Sequence, residues 1–207
     1  MTPPPPARCL IVVLAKAPVA GFAKTRLIPA LGAQGAADLA LRLLNHAVTQ
    51  ALGAGLGGVE LSCAPDSRHP AFAAWARHPG LRLADQGEGD LGQRMARAIE
   101  RGLAQHAKVL LIGSDAPGLD GVVLRNAAAA LDSHDAVFVP ALDGGYVLVG
   151  LRRQARRIFE DMVWSTLHVM QDTRERLAEL GLRHIELAPL PDIDDAADLV
   201  HIPREWL

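Results

Sequence analysis

Apolar residues in this chain fall into short unbroken runs, separated by longer stretches with helical spacing. Residues 9–14, Cys-Leu-Ile-Val-Val-Leu, are continuously apolar and rich in β-branched side chains. A strand buried on both faces reads this way, which favours a parallel sheet. Residues 59–64, 81–84, 108–112, 136–140, 146–151 and 183–187 give further strand signals. Between them the period changes. Ala36, Leu39, Ala40, Leu43, Leu44, Ala47, Val48 and Ala51 follow helical spacing and predict a helix over 33–52, ended by the glycine-rich 53–58. Helical segments are also predicted over 70–77, 91–105, 121–131, 152–161 and 164–180. Alternating strands and helices, with no internal repeat and no linker long enough for a boundary, predict one α/β domain over 9–207 with a mostly parallel sheet. The prolines at 3–6 predict a disordered lead-in over 1–8.

Composition narrows the class. Half of the 207 residues are hydrophobic, enough for a sizeable core. A net charge of -2 argues against a general electrostatic grip on nucleic acid. Cys9 and Cys63 lie in strand-like runs without metal-binding spacing and read as buried thiols of an intracellular protein. No signal-peptide pattern is present, and no apolar run approaches the roughly 20 residues of a membrane span. The expectation is a soluble, cytoplasmic protein.

The candidate chemistry starts in the loop after the first strand. Residues 15–27 hold Lys16 and Lys24, two of only three lysines in the chain, and Arg26. A loop leaving the first strand of an α/β fold, with small residues and fixed cations, is where such folds place a phosphate. It is not a Walker A loop, because Pro18 and Ala23 stand where glycines are needed. Lys24 and Arg26 would contact phosphate oxygens, with backbone N–H groups around Ala17 to Gly21 as further donors. The other reading is a solvated basic loop.

Two stretches match G-x-G-x-x-G. The one at 53–58 follows a helix and precedes a strand, the wrong order for a dinucleotide fingerprint. The one at 87–92 has the right order, but Glu88 and Asp90 would oppose a pyrophosphate. A loop contacting a base or ribose suits that chemistry better. Asp115 follows a strand and Gly113-Ser114, where a lone carboxylate beside phosphates is a good Mg²⁺ or Mn²⁺ ligand. It could instead cap the next helix, although Asp120 is better placed. Asp192, Asp194, Asp195 and Asp198 form an acidic cluster that ordinary helix capping also explains. Asp143-Gly144-Gly145 is equally a hairpin turn signal.

Taken together, these motifs resemble the DUF2064 family, often named radical-SAM/selenodomain-associated or arsenosugar-biosynthesis glycosyltransferases. The resemblance rests on 15–21 with 24–27, 87–95, 113–117, 143–146, 164–166 and 192–194, and spans residues 10–199. It implies a nucleotide-diphospho-sugar transferase fold, the single-domain GT-A architecture, with a mixed, mostly parallel sheet. By this resemblance Ala15, Lys16, Ala17, Gly21, Lys24, Arg26, Gln86, Gly92 and Arg94 hold the nucleotide. Lys24 and Asp115 are catalytic. Asp115 and Asp194 hold Mg²⁺ or Mn²⁺. Asp143, Gly144, Gly145, Tyr146 and Trp164 face the acceptor. A full Asp-x-Asp motif is missing, since Gly113 stands two residues before Asp115. The implied activity is a metal-dependent transferase using a nucleotide-sugar donor and a small-molecule acceptor. Guanylyltransferase-like transfer of a nucleotidyl group to a phosphorylated acceptor, and non-catalytic nucleotide binding, are the alternatives. Base, sugar and acceptor are not named by the sequence. Oligomeric state is open, a homodimer included.

Overall fold

The computed structural model describes residues 9–206, so the lead-in predicted over 1–8 lies outside the described residues. Seven strands make one sheet: β1 (Leu10–Lys16), β2 (Val59–Ala64), β3 (Leu81–Asp85), β4 (Val109–Ile112), β5 (Ala136–Pro140), β6 (Tyr146–Leu151) and β7 (His184–Glu186). Their order is β3-β2-β1-β4-β6-β5-β7. Only β6 runs antiparallel to its neighbours. The expected mixed, mostly parallel α/β sheet is what forms.

Four helices cover the two faces: α1 (Ile28–Gly53), α2 (Leu91–Leu103), α3 (Gly121–Ala130) and α4 (Val169–Glu179). Strand alternation sorts the core into two layers. Ile11 and Val13 pack with Leu44 and Val48 of α1 and Leu124 of α3. Leu10 and Val12 pack with Met95 and Ile99 of α2 and Leu177 of α4. Each such side chain, fully buried, stabilises the fold by roughly 1.5–3 kcal/mol. Both thiols are buried and free. Burial pushes Cys9 up to about 11 and Cys63 up to about 12, so neither is a ready nucleophile.

Several predicted boundaries move, each for a local reason. β1 continues to Lys16 because its pairing with β2 runs on through Lys16 opposite Ala64. Ala15 and Lys16 are therefore the end of a strand rather than part of a loop. The helix expected at 33 starts at Ile28, but Gly32, at φ 72°, breaks it at the expected point. Over 70–77 only one 3₁₀ turn forms, Pro70–Phe72, and over 152–161 only Arg156–Phe159. The helix expected from 164 begins at Val169, because Ser165 adopts φ 63°. Asp90 and Gln93 cap α2 reciprocally. A Cβ at Gly89 would run into that Gln93 side chain, so this glycine serves the cap.

One helix bears on the membrane expectation. The segment Thr25–Gly53 is long and apolar enough, by length and composition, to span one. Its alanine and leucine content raises its hydropathy. In the fold, however, Leu39, Leu43, Leu44 and Val48 are buried along one side of α1.

Candidate functional site

The sheet brings the chemistry together. β1 pairs in parallel with β4, Val13 lying opposite Ile112, so the loops leaving both strands emerge side by side. β6 enters at the same sheet edge after the turn 141–145. Beyond β7, Leu190 bridges Ala141, and Ile193 N–H donates to the Asp115 carbonyl at 3.0 Å. Four segments remote in sequence thus meet at the carboxyl ends of the central strands.

Lys24 sits at their centre. Its backbone is left-handed, φ 47°, and its ammonium reaches Asp115 Oδ1 at 2.9 Å and Asp194 Oδ1 at 3.1 Å. It also donates to the Ile193 carbonyl at 2.5 Å. Burial is the largest influence on this amine and works against the charge. The Asp115 and Asp194 carboxylates together outweigh it and hold the pKa above the ordinary lysine value. Arg26, largely exposed, approaches Asp194 at 3.8 Å.

A group of carboxylates lies next to this ion pair. One oxygen from each of Asp143, Asp192 and Asp194 lies within 4.8 Å of the others. Burial first, then the Asp143 and Asp194 carboxylates, pushes Asp192 up to about 6. Carboxylates crowded this closely suit a hard divalent cation. The sequence reading placed Asp143 with the acceptor and left Asp192 among possible caps. The structure brings both beside Asp194, while Asp115 pairs with Lys24. A signal was available: in extended chain, Asp192 and Asp194 are two apart and share one side.

Three cavities join into a trough along this edge. The central one, about 370 Å³, is lined by Lys16, Lys24, Arg26, Asp115 and Asp194, with Ala15 in its wall. A larger one, about 610 Å³, lies beyond Lys16, Phe22 and Gln86, which line both. Ala17, Val19, Ala64, Pro65, His69 and Arg94 complete its walls. Phe22 is 69 % exposed, an aromatic ring left in solvent at the cavity mouth that the sequence reading passed over. The third cavity, about 150 Å³, adjoins the centre at Leu91 and contains Asp143, Tyr146 and Trp164.

Other expected residues serve the scaffold visibly. The Gln86 side-chain amide donates to the Ala15 and Ser62 carbonyls, both at 2.9 Å, tying the ends of β1 and β2 to the loop. Arg94 Nε donates to Gly89 O at 2.9 Å. Ala17 is buried, its N–H bonded to Ala64 O at 2.8 Å. Gly21, at φ 81°, turns the loop. Gly92 packs against the Phe159 carbonyl and the Trp164 ring, where a Cβ would not fit, and lies outside the central cavity. Gly144, at φ 92°, abuts the Leu167 backbone, and Gly145 N–H donates to Asp143 Oδ1 at 2.9 Å. The turn reading of Asp143 is therefore met alongside its place in the carboxylate group.

No curated protein matches the chain. A family model described as "uncharacterized protein conserved in bacteria (DUF2064)" matches residues 47–166. A candidate nucleotide-diphospho-sugar transferase from Desulfovibrio desulfuricans G20 is 30% identical, with a TM-score of 0.87, covering 95% of this chain and 87% of that one. A nucleotidyl transferase from Methanothermobacter has a TM-score of 0.64 at 16% identity, covering 96% and 97%. Rv0371c from Mycobacterium tuberculosis H37Rv, in complex with manganese, has 0.55 at 16%, covering 95% and 97%. The last two are similar in fold.

Proposed function

The chain belongs to the DUF2064 family and is a transferase of the nucleotide-diphospho-sugar transferase fold, and from that premise we propose that it moves a glycosyl group from a nucleotide-sugar, with a divalent metal. The observation that carries this reading is the convergence at Lys24. A buried ammonium, two carboxylates and an adjoining carboxylate group meet in one open trough.

The three cavities suggest how a donor lies. The base occupies the wide cavity, its apolar faces against Val19, Pro65 and the exposed Phe22 ring. The diphosphate lies in the central cavity beside Lys16, Lys24 and Arg26. The acceptor enters at Asp143, Tyr146 and Trp164. Asp194, with Asp143, Asp192 and Asp115 around it, would hold Mg²⁺ or Mn²⁺. Such an ion supplies Lewis-acid neutralisation of the diphosphate. Lys24 has two roles here. Without a ligand it neutralises Asp115 and Asp194. With a diphosphate bound, the same ammonium faces phosphate oxygens and stabilises the charge that develops on the leaving group.

In the transfer, an acceptor hydroxyl oxygen bonds to the anomeric carbon. The anomeric C–O bond to the nucleoside diphosphate breaks, and its electron pair stays with the phosphate oxygen. The hydroxyl proton passes to a carboxylate of the acceptor wall. An open acceptor cavity beside the carboxylates is what a purely nucleotide-binding protein would not need.

A thermal-shift screen of nucleoside triphosphates and nucleotide sugars with Mn²⁺ tests the reading. The expected result is stabilisation by at least one nucleotide-sugar, dependent on the metal and abolished in Asp115→Asn, whose circular dichroism stays native. Metal-independent stabilisation, or an Asp115→Asn protein that responds like the wild type, would count against it.

A further inference from the structure

The cations of the trough are gathered at its centre. Lys16, Lys24 and Arg26 line the central cavity together with Asp115 and Asp194. Beyond Leu91 only the carboxylates continue: among the described residues, no lysine, arginine or histidine lines the acceptor cavity. Its walls include Leu91 and Met95 from α2, the Tyr146 and Trp164 rings, the neutral Ser165 and Thr166, and, as its charged groups, the Asp143 and Asp192 carboxylates. The two rings stand edge to face, centroids 6.4 Å apart at 83°.

From this sorting we propose that the acceptor is an uncharged ring-bearing alcohol, of the kind a neutral sugar presents, and carries no phosphate or carboxylate. The inference rests on the donor reading above and deepens it. A phosphate group needs a guanidinium, an ammonium or a set of converging N–H donors. This wall offers two carboxylates instead, and carboxylates are the wrong sign. A divalent ion does not reverse that balance. The Asp143 and Asp192 carboxylates of this wall carry two negative charges, which a divalent ion at most offsets, and the cations that face the diphosphate lie in the central cavity. An uncharged alcohol meets no such penalty. Its hydroxyls can donate to Asp143 and Asp192, and its apolar ring face can lie on Trp164. The same argument separates glycosyl transfer from nucleotidyl transfer to a phosphorylated acceptor, which this wall would repel.

The test uses the full chain with Mg²⁺ and saturating inorganic pyrophosphate, which occupies the cation-lined central cavity, and matched probes: methyl gluco-, galacto- and mannopyranosides against their 6-phosphates, followed by saturation-transfer NMR. At least one neutral glycoside is expected to bind tenfold or more tightly than its 6-phosphate. Trp164→Ala should lower that affinity about tenfold. Leu91→Arg, a change at a 41 % exposed helix position, should narrow or invert the preference by placing a cation at the cavity entrance. Equal or tighter binding of the 6-phosphates to wild type overturns the proposal, as does binding of neither probe or an unchanged preference in Leu91→Arg. The measurement needs no nucleotide, so its failure is separate from a failure of the nucleotide screen.

Discussion

At the residue scale, the site is a balance between one ammonium and several carboxylates, and Asp192 is its most exposed weakness. Its folded-state pKa is raised from 3.8 to about 6, first by burial and then by Asp143 and Asp194. The sign follows from linkage. A raised acid binds its proton more tightly folded than unfolded. The stability this gives is complete below pH 3.8 and is lost as pH rises through 6. Above that, in metal-free protein, the ionised group opposes folding. Asp192→Asn should therefore raise the metal-free melting temperature at pH 7.5 and change it little at pH 4.5. The group is half-buried and solvent screens it, so a gain of about 1 kcal/mol, roughly 2–4 °C, is expected. With Mn²⁺ the order should reverse, since the variant loses a candidate ligand. An equal shift at both pH values would remove Asp192 from this account. Residue chemistry was partly legible in the sequence. Lys24 stood out because lysine is rare here, and Asp115 because it ends a buried strand. The grouping of Asp143 with Asp192 was not, because a Gly-Gly turn and an Asp-rich loop each have a local explanation. The pairing of β5 with β7, carried on by the bridge between Ala141 and Leu190, puts them side by side.

At the scale of elements, apolar runs located the inner strands within a few residues, because strands buried on both faces leave an unbroken signal, while the partly buried edge strands β3 and β7 gave shorter ones. Helix starts were less legible where a non-glycine residue leaves helical geometry, as Ser165 does at φ 63°, whereas Gly32 broke α1 where a glycine can be expected to. Glu60 is the sharpest case. It is the one charged residue within the strand signal over 59–64, yet it is fully buried. Arg82 on β3 meets it at 2.7 Å and Arg101 on α2 at 2.5 Å, so one carboxylate fastens a strand, its edge neighbour and a helix. Removing one partner of a buried ion pair costs about 3–5 kcal/mol when the other charge is stranded. Here both guanidiniums are partly exposed and can turn to water. Glu60→Gln should accordingly destabilise by about 2–3 kcal/mol in urea unfolding, below that range. A change under about 0.5 kcal/mol would mean the triad holds nothing together.

At the scale of the whole molecule, the sheet order is what makes the site. Lys24 and Asp115 are far apart in the chain, and no spacing rule connects them. They meet because β1 and β4 are parallel neighbours, and because the chain after β7 returns to the same edge, where Ile193 bonds both Asp115 and Lys24. The sequence could predict a parallel sheet but not which strands adjoin, since strand order is decided by the joint packing of α1 and α3 on one face and α2 and α4 on the other. A ligand gripping this site should therefore tie three remote segments at once. Hydrogen exchange with a stabilising nucleotide and Mn²⁺ is expected to slow amides over 17–26, 113–118 and 190–198 together. The amides of α3 should be unaffected beyond any global stabilisation, since none of its residues lines the three cavities. The sizes of the three local protections should track one another as nucleotide concentration rises, because a single binding event closes all three. Protection confined to 17–26 would describe a phosphate loop acting alone, and the carboxylates of the last segment would then have no part in binding.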